Sequence, residues 1–285
     1  MKRKTNRKNL MILSLLIKNK LAFVASIIII GFICTAMSAP IIAPYDPLGI
    51  NLYRISESPS LAHPCGTDSK GRDILSRIIY GMRVSLLVGV GATIGAMMIG
   101  LIFGIMAGYF GGIFDFIVTM LIDLVLAFPS LLLAIAISVV MTPGIYTLII
   151  TLCAIGWATF ARLSRGMFLS LRESQMVEAA KVMGCSNLRI IFNHILPNCI
   201  SVIIVAVSLK VGSFILSEAA LSFLGLGIQP PYPTLGSMIS LDRIYIYSAA
   251  WMVIFPGLAI FLLTISFNIM GDFLRDYLDP TFKIN

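Results

Sequence analysis

Apolar residues along this chain gather into six long runs, at residues 21–43, 84–108, 114–140, 145–163, 199–223 and 248–271. A helix needs roughly 20 mostly apolar residues to cross a bilayer, so the pattern predicts six transmembrane helices and an all-α fold. Residues 10–17, Leu-Met-Ile-Leu-Ser-Leu-Leu-Ile, are too short to cross and sit between basic clusters. They read as a helix lying on the membrane surface. No internal repeat or low-complexity segment interrupts the pattern.

Composition supports this reading and excludes others. Of 285 residues, 58% are hydrophobic and 12% charged, with a mean hydropathy of +0.97. A soluble domain carries roughly 25% charged residues, so lipid must be part of this chain's solvent. The net charge of +8 points to the membrane surface and not to nucleic acid, because of where it lies. Lys2, Arg3, Lys4, Arg7, Lys8, Lys18 and Lys20 precede the first apolar run with no acid among them. Such a cluster anchors the N-terminus on the inner leaflet through anionic lipid. Its basic and apolar order resembles a signal peptide, but residues 21–43 are long enough to span and more spans follow, which predicts an uncleaved first helix.

Six spans then place both termini in the cytoplasm. The expected layout is a basic interfacial N-terminus (1–20), a first helix (21–43), an extracytoplasmic loop (44–83), a five-helix core (84–271) and a cytoplasmic tail (272–285). The core contains a cytoplasmic loop, 164–198, that carries Arg165, Arg172, Lys181 and Arg189. The outer loop is also basic (Arg54, Lys70, Arg72, Arg77, Arg83), but Asp46, Glu57, Asp68 and Asp73 offset it. Within the second span, Gly91/Gly95 and Gly100/Gly104 are four-residue pairs of the kind that let helix backbones approach closely. Pro129 and Pro256 are expected to kink their spans. The five cysteines have no metal-ligand spacing with each other, and His63 and His194 lie far apart in sequence, so neither a metal site nor a disulfide framework is implied.

The cytoplasmic loop is the most informative stretch. Residues 172–183 favour helix, and Gly184 supplies a stop that tolerates positive φ. Residues 186–196 form a second short helix with Ser186 as a plausible N-cap and an apolar stripe of Leu188, Ile191 and Ile195. Pro197 is expected to break it before the fifth span. The product is a helix–Gly–helix elbow projecting from the membrane.

Glu178-Ala179-Ala180, Gly184 and Leu196-Pro197 stand at the spacing E-A-A-x3-G-x9-I-x-L-P, with His194 where the general pattern has Ile. The stretch resembles the EAA loop of permease subunits of binding-protein-dependent ABC importers. The sequence His194-Ile195-Leu196-Pro197-Asn198 is similar to the peptide and nickel branch. Four further blocks resemble that branch in order: Gly66 to Asp73 with Ser76-Arg77, Arg83 to Leu86, Ser222 to Gly227 with Gln229-Pro230-Pro231, and Gly271 to Pro280.

The resemblance implies a function. The elbow would be the coupling helix that docks on a cytoplasmic ATPase, with Glu178 in polar contact, Gly184 forming the turn, and Ala179 and Ala180 allowing close packing. His194, Leu196 and Pro197 complete the same segment. The expected partners are a second related permease, two ATPase subunits and an extracytoplasmic solute-binding protein. ATP and Mg would be used by the ATPases and no cofactor would be bound by this chain. The cargo is a di- or oligopeptide, or alternatively nickel or a nickel chelate; Gln229-Pro230-Pro231 looks more like the peptide permeases.

Enzyme readings fare worse. Gly66 and Gly71 have the glycine spacing of a phosphate-cradling loop, but Arg72 and Asp73 follow where Lys and Ser/Thr are required. A membrane-embedded enzyme would need a polar catalytic pair at membrane depth, and Asp123 and Glu218 are the only candidates.

Asp123, Lys210 and Glu218 lie within predicted spans. Intramembrane charges face the bundle interior or a water-filled path. The family pattern in span three looks like D-x4-R-x2-D, yet Met120 replaces the Arg, and Lys210 stands where span five is expected to carry a small residue. Asp123 and Lys210 both lie roughly 14–17 Å from the inner surface at 1.5 Å per residue. They are therefore expected either to pair or to line the path. Glu218 is expected to line the path, meet the outer loop or join helices in the outer leaflet.

Overall fold

The computed structural model describes residues 19–278 together with Leu16. The basic cluster before Lys20, the rest of the 10–17 stretch and the last seven residues lie outside the described residues. Among the described residues the chain is helical, with α1 (Lys20–Met37), α2 (Ile74–Phe110), α3 (Gly112–Ala127), α4 (Ser130–Val140) and α5 (Ile145–Arg172) in its first part. There follow α6 (Gln175–Val182), α7 (Asn187–Ile190), α8 (Leu196–Phe223), α9 (Leu235–Asp242) and α10 (Trp251–Leu278).

The third apolar run does not form one straight span. It breaks between α3 and α4, which meet at 93°. Phe128 is extended (φ −94°, ψ 144°) because it precedes Pro129, whose ring disfavours the helical region for its neighbour. Among the described residues five helices are therefore long and apolar enough to cross, and six if the bent pair counts as one span. Pro256, by contrast, lies inside α10 without ending it.

At 37 residues and about 1.5 Å each, α2 is about 55 Å long and outreaches the roughly 30 Å hydrocarbon core. Its first ten residues belong to what the sequence suggests is outer loop. Asp73 starts the helix as N-cap, its carboxylate accepting from the Ser76 amide at 2.8 Å.

The most extensive helix contact is α2 against α5. Gly100 makes it possible: a Cβ there would come within 2.5 Å of Phe160 Cβ and the Trp157 carbonyl. Gly104 meets Ser164 in the same way and Gly108 meets the Arg165 carbonyl, so the stripe runs 100, 104, 108. Gly91 has only ordinary contact, 3.7 Å from the Ile149 side chain. On the other side of α2, α8 packs between α2 and α10, and α1 lies against α10 and α2.

Outside the bundle, residues 44–73 fold into a polar knot. Asp68 is buried and accepts from the amides of Lys70 (2.8 Å) and Arg72 (2.9 Å) and from Arg72 Nε (2.6 Å). Arg77 Nε lies 3.4 Å away, and its Nη1 donates to the Pro47 carbonyl at 3.0 Å. His63 Nδ1 is 2.8 Å from Asp73 Oδ1. Ser69 donates to Asp242 at 2.6 Å, which fastens the knot to α9. Burial pushes the Asp242 carboxyl above its ordinary range, against the pull of that hydrogen bond. The amides on either side of Gly71 are thus occupied by the loop's own carboxylate.

Candidate functional site: the α5–α8 elbow and the membrane charges

α5 runs to Arg172, nine residues beyond its predicted apolar run, before the chain turns at Glu173 and Ser174 into α6. α6 ends at Met183, and Gly184 follows at φ +75°. The Gly184 amide donates to the Lys181 carbonyl (2.9 Å) and the Cys185 amide to that of Ala180 (3.1 Å). This is a Schellman stop, whose left-handed position favours glycine. A Cβ at Gly184 would meet nothing within 4 Å, so backbone conformation alone requires the glycine.

Beyond the turn the structure corrects two expectations. Pro197 does not break the chain: it occupies the first turn of α8, and residues 187–223 run on as one helical segment. A π turn over Ile191–Ile195 precedes it and widens the helix where proline offers no donor and needs room for its ring. Leu188 is exposed and is not part of the buried stripe; Ile190 takes that place beside Ile191 and Ile195.

The elbow's inner face is packed. Val177, Ala180, Ile190, Ile191 and Ile195 form one core with Phe168 of α5, Tyr109 of α2, and Cys199 and Ile203 of α8. Tyr109 Oη also donates to Asn187 Oδ1 at 2.9 Å, so the end of α2 is tied directly to α7. Sequence reasoning missed that bond. His194 is half-buried, and its carbonyl accepts from Asn198 Nδ2 at 2.6 Å.

The outer face is open. Glu178, Ala179, Lys181, Val182, Met183 and Leu188 are exposed, Val182 at 85%. The two alanines of the motif thus part company: Ala180 is fully buried and packs the elbow on itself, while only Ala179 is free for a partner. Glu178, Lys181 and Arg189 form no ion pair among the described residues.

The intramembrane charges are not arranged as the depths suggest. Asp123 pairs with Arg162 of α5 at 2.5 Å, and Asp115 takes Arg165 in a two-pronged contact at 2.5 and 2.8 Å. Both guanidinium partners come from α5, although α3 carries Met120 where an arginine is expected. Lys210 does not pair with Asp123. Equal depth on two helices says nothing about which way each side chain points, and Lys210 turns towards Phe214, its Nζ 5.1 Å from the ring centre. Glu218 is buried and accepts from Ser85 of α2 (2.6 Å) and Ser222 (2.7 Å). It therefore joins α8 to α2 and lines no open surface.

Lys210, Ser213 and Ser217 share one face of α8 at i, i+3 and i+7. With Thr159 of α5 and Phe128 and Ser130 at the α3–α4 bend they line a cavity of about 50 Å³. Among the described residues no group of three or more His, Cys, Asp or Glu gathers as a metal site would require.

Residues 100–284 match the family model described as binding-protein-dependent transport system inner membrane component. Residues 11–62 match the N-terminal transmembrane domain of oligopeptide transport permease C. The chain is 46% identical over 266 residues to a dipeptide transport system permease protein of Alkalihalophilus pseudofirmus, covering 93% of this chain and 88% of that protein. A glutathione transport system permease protein of Escherichia coli is 41% identical over 267 residues, with the same coverage. Among solved structures, an inward-facing methionine ABC transporter superposes with a TM-score of 0.59 at 17% identity, covering 72% of this chain and 98% of that one. An amino acid ABC transporter crystallised with histidines gives 0.56 at 16% identity, covering 71% and 94%. These two likenesses concern the fold.

Proposed function

The chain belongs to the binding-protein-dependent transport system inner membrane components, the multi-pass permease subunits of ABC importers, and from that premise we propose that it carries short peptides across the membrane and takes its energy through the α5–α8 elbow. It forms half of a translocation path with a second, related permease. Two ATPase subunits that hold ATP and Mg dock on the elbow, and a solute-binding protein delivers cargo at the opposite face. Both termini lie on the ATPase side.

The observation that carries this reading is the two-faced elbow. Its inner side is built into the ends of α2, α5 and α8 through Tyr109, Phe168 and Cys199, while its outer side leaves Glu178, Ala179, Val182 and Met183 open. A protein groove that closes on the outer face would move the helix ends with it. The Schellman stop and the Tyr109–Asn187 bond keep the elbow from absorbing that motion. ATP-driven closure then favours one membrane state over the other by differential affinity, which is what alternating access requires. Peptide cargo is supported by the relatives named for dipeptide and glutathione transport.

The test is uptake by the complete importer in proteoliposomes. Dialanine should accumulate with ATP and not with ADP, and only when the binding protein is present. ATP-dependent uptake of nickel with none of dialanine or other di- and tripeptides would overturn the peptide reading.

A further inference from the structure

We propose that Lys210 receives the carboxylate of a peptide part-way across the membrane, so that this subunit favours cargo with a free C-terminal carboxyl group. The inference rests on the peptide-import reading.

Four observations lead there. Lys210 is the fifteenth of the 28 residues of α8, about 21 Å from its start at 1.5 Å per residue, where a cation without compensation is costly. The acids of the apolar runs are already committed: Asp123 to Arg162, Asp115 to Arg165, and Glu218 to two serines. Lys210 has no acid partner among the described residues, only the face of Phe214. The cavity that it lines holds one ammonium and four hydroxyl residues, Ser130, Thr159, Ser213 and Ser217, and no carboxylate. Ser217 already donates to the Ser213 carbonyl at 3.0 Å, but an ammonium beside the remaining hydroxyls, which can donate, is a receptor for an anion.

The position of the cavity supplies an independent argument. It lies against the 93° break at Phe128–Ser130, where the backbone leaves helical geometry inside an apolar run. Irregular backbone at membrane depth is tolerated only where protein or a water-filled cavity satisfies it. A cavity of about 50 Å³ has room for a carboxylate group and a water or so, and none for a dipeptide. It therefore recognises one end of the cargo, and the remainder lies in the path between the two permease halves.

The experiment uses the complete importer in proteoliposomes, with dialanine and dialanine amide as probes. The variants are Lys210→Met, which keeps length without charge, and Lys210→Arg. The binding protein is common to all, so its own selectivity cancels when acid-to-amide rate ratios are compared. The ratio should fall about tenfold or more in Lys210→Met, as expected for losing one charged hydrogen bond. Amide uptake should stay within about twofold, and Lys210→Arg should restore most of the ratio. If Lys210→Met does not assemble, the ratio is read on Lys210→Gln. An unchanged ratio overturns the proposal. So does an equal loss for both probes, which would make Lys210 a counter-ion for an acid of the other permease. Failure of the wild-type complex to import dialanine, its amide or any other di- or tripeptide would contradict the peptide reading itself, and the inference with it.

Discussion

The polar knot of residues 44–73 and the α5–α8 elbow both stand outside the apolar bundle, and they handle their charges in opposite ways. The knot answers its buried acids within the fold: Asp68 lies against Arg72 and Arg77, Asp73 against His63, and Asp242 against Ser69. The elbow buries its apolar side and leaves Glu178, Lys181, Val182, Met183 and Leu188 facing outwards. A region whose buried acids are answered internally serves the fold. A region that is rigid within and unsatisfied without is shaped for a partner.

Substitutions should separate the two. The largest effect is expected in the knot, where Asp68→Asn strands two buried guanidinium groups. Breaking a buried pair in this way destabilises by about 3–5 kcal/mol, visible as a large drop in the unfolding temperature of the purified subunit. A loss under about 1 kcal/mol would mean the knot is not what holds the outer region. Next in size is a contrast within the elbow. Ala180→Asp places an unpaired charge among Val177, Phe168 and Ile195 and should destabilise by about 3 kcal/mol. Ala179→Asp, one residue away and exposed, should leave stability within about 0.5 kcal/mol while weakening ATPase binding. Equal effects of the two would erase the distinction between inner and outer faces.

The smallest effect concerns pH. Burial raises the folded-state pKa of Asp242 above its ordinary 3.8, so the protonated form is the one the fold prefers. Its stabilising contribution is complete below the ordinary value and is lost as pH rises through the higher folded value. Asp242→Asn keeps an acceptor for Ser69 and removes that dependence. The variant should equal or slightly exceed wild type in unfolding temperature at neutral pH, with the gap closing in acid. A variant less stable than wild type at neutral pH would reverse the sign.

Much of this was legible in the sequence because it depends on local chemistry. Six apolar runs announce a membrane bundle, and Glu178-Ala179-Ala180 with Gly184 announces an elbow whose turn needs positive φ. What the sequence left open depends on direction and neighbours. Pro129 breaks a span by 93° while Pro256 passes inside α10, and no local rule separates them. Pro197 is accommodated by a π turn, which has no simple residue signature. Asp123 and Lys210 share a depth but not an azimuth, so their separation needed the packing of α3 on α5. The Tyr109–Asn187 bond joins residues 78 apart in sequence, and neither side chain signals it alone.

The central claim is that the elbow's exposed face is where ATPase energy enters the membrane subunit. The most direct test is co-purification of the ATPases with tagged subunit from solubilised membranes, comparing wild type with Glu178→Arg. Glu178 is exposed and without an ion pair among the described residues, so the variant should fold with unchanged stability. The account predicts ATPase recovered with wild type and reduced about tenfold or more in the variant, the second permease being retained in both, as expected when a charged contact is replaced by a like-sign clash. Undiminished ATPase with Glu178→Arg, or no ATPase with wild type under conditions that retain the second permease, would contradict it.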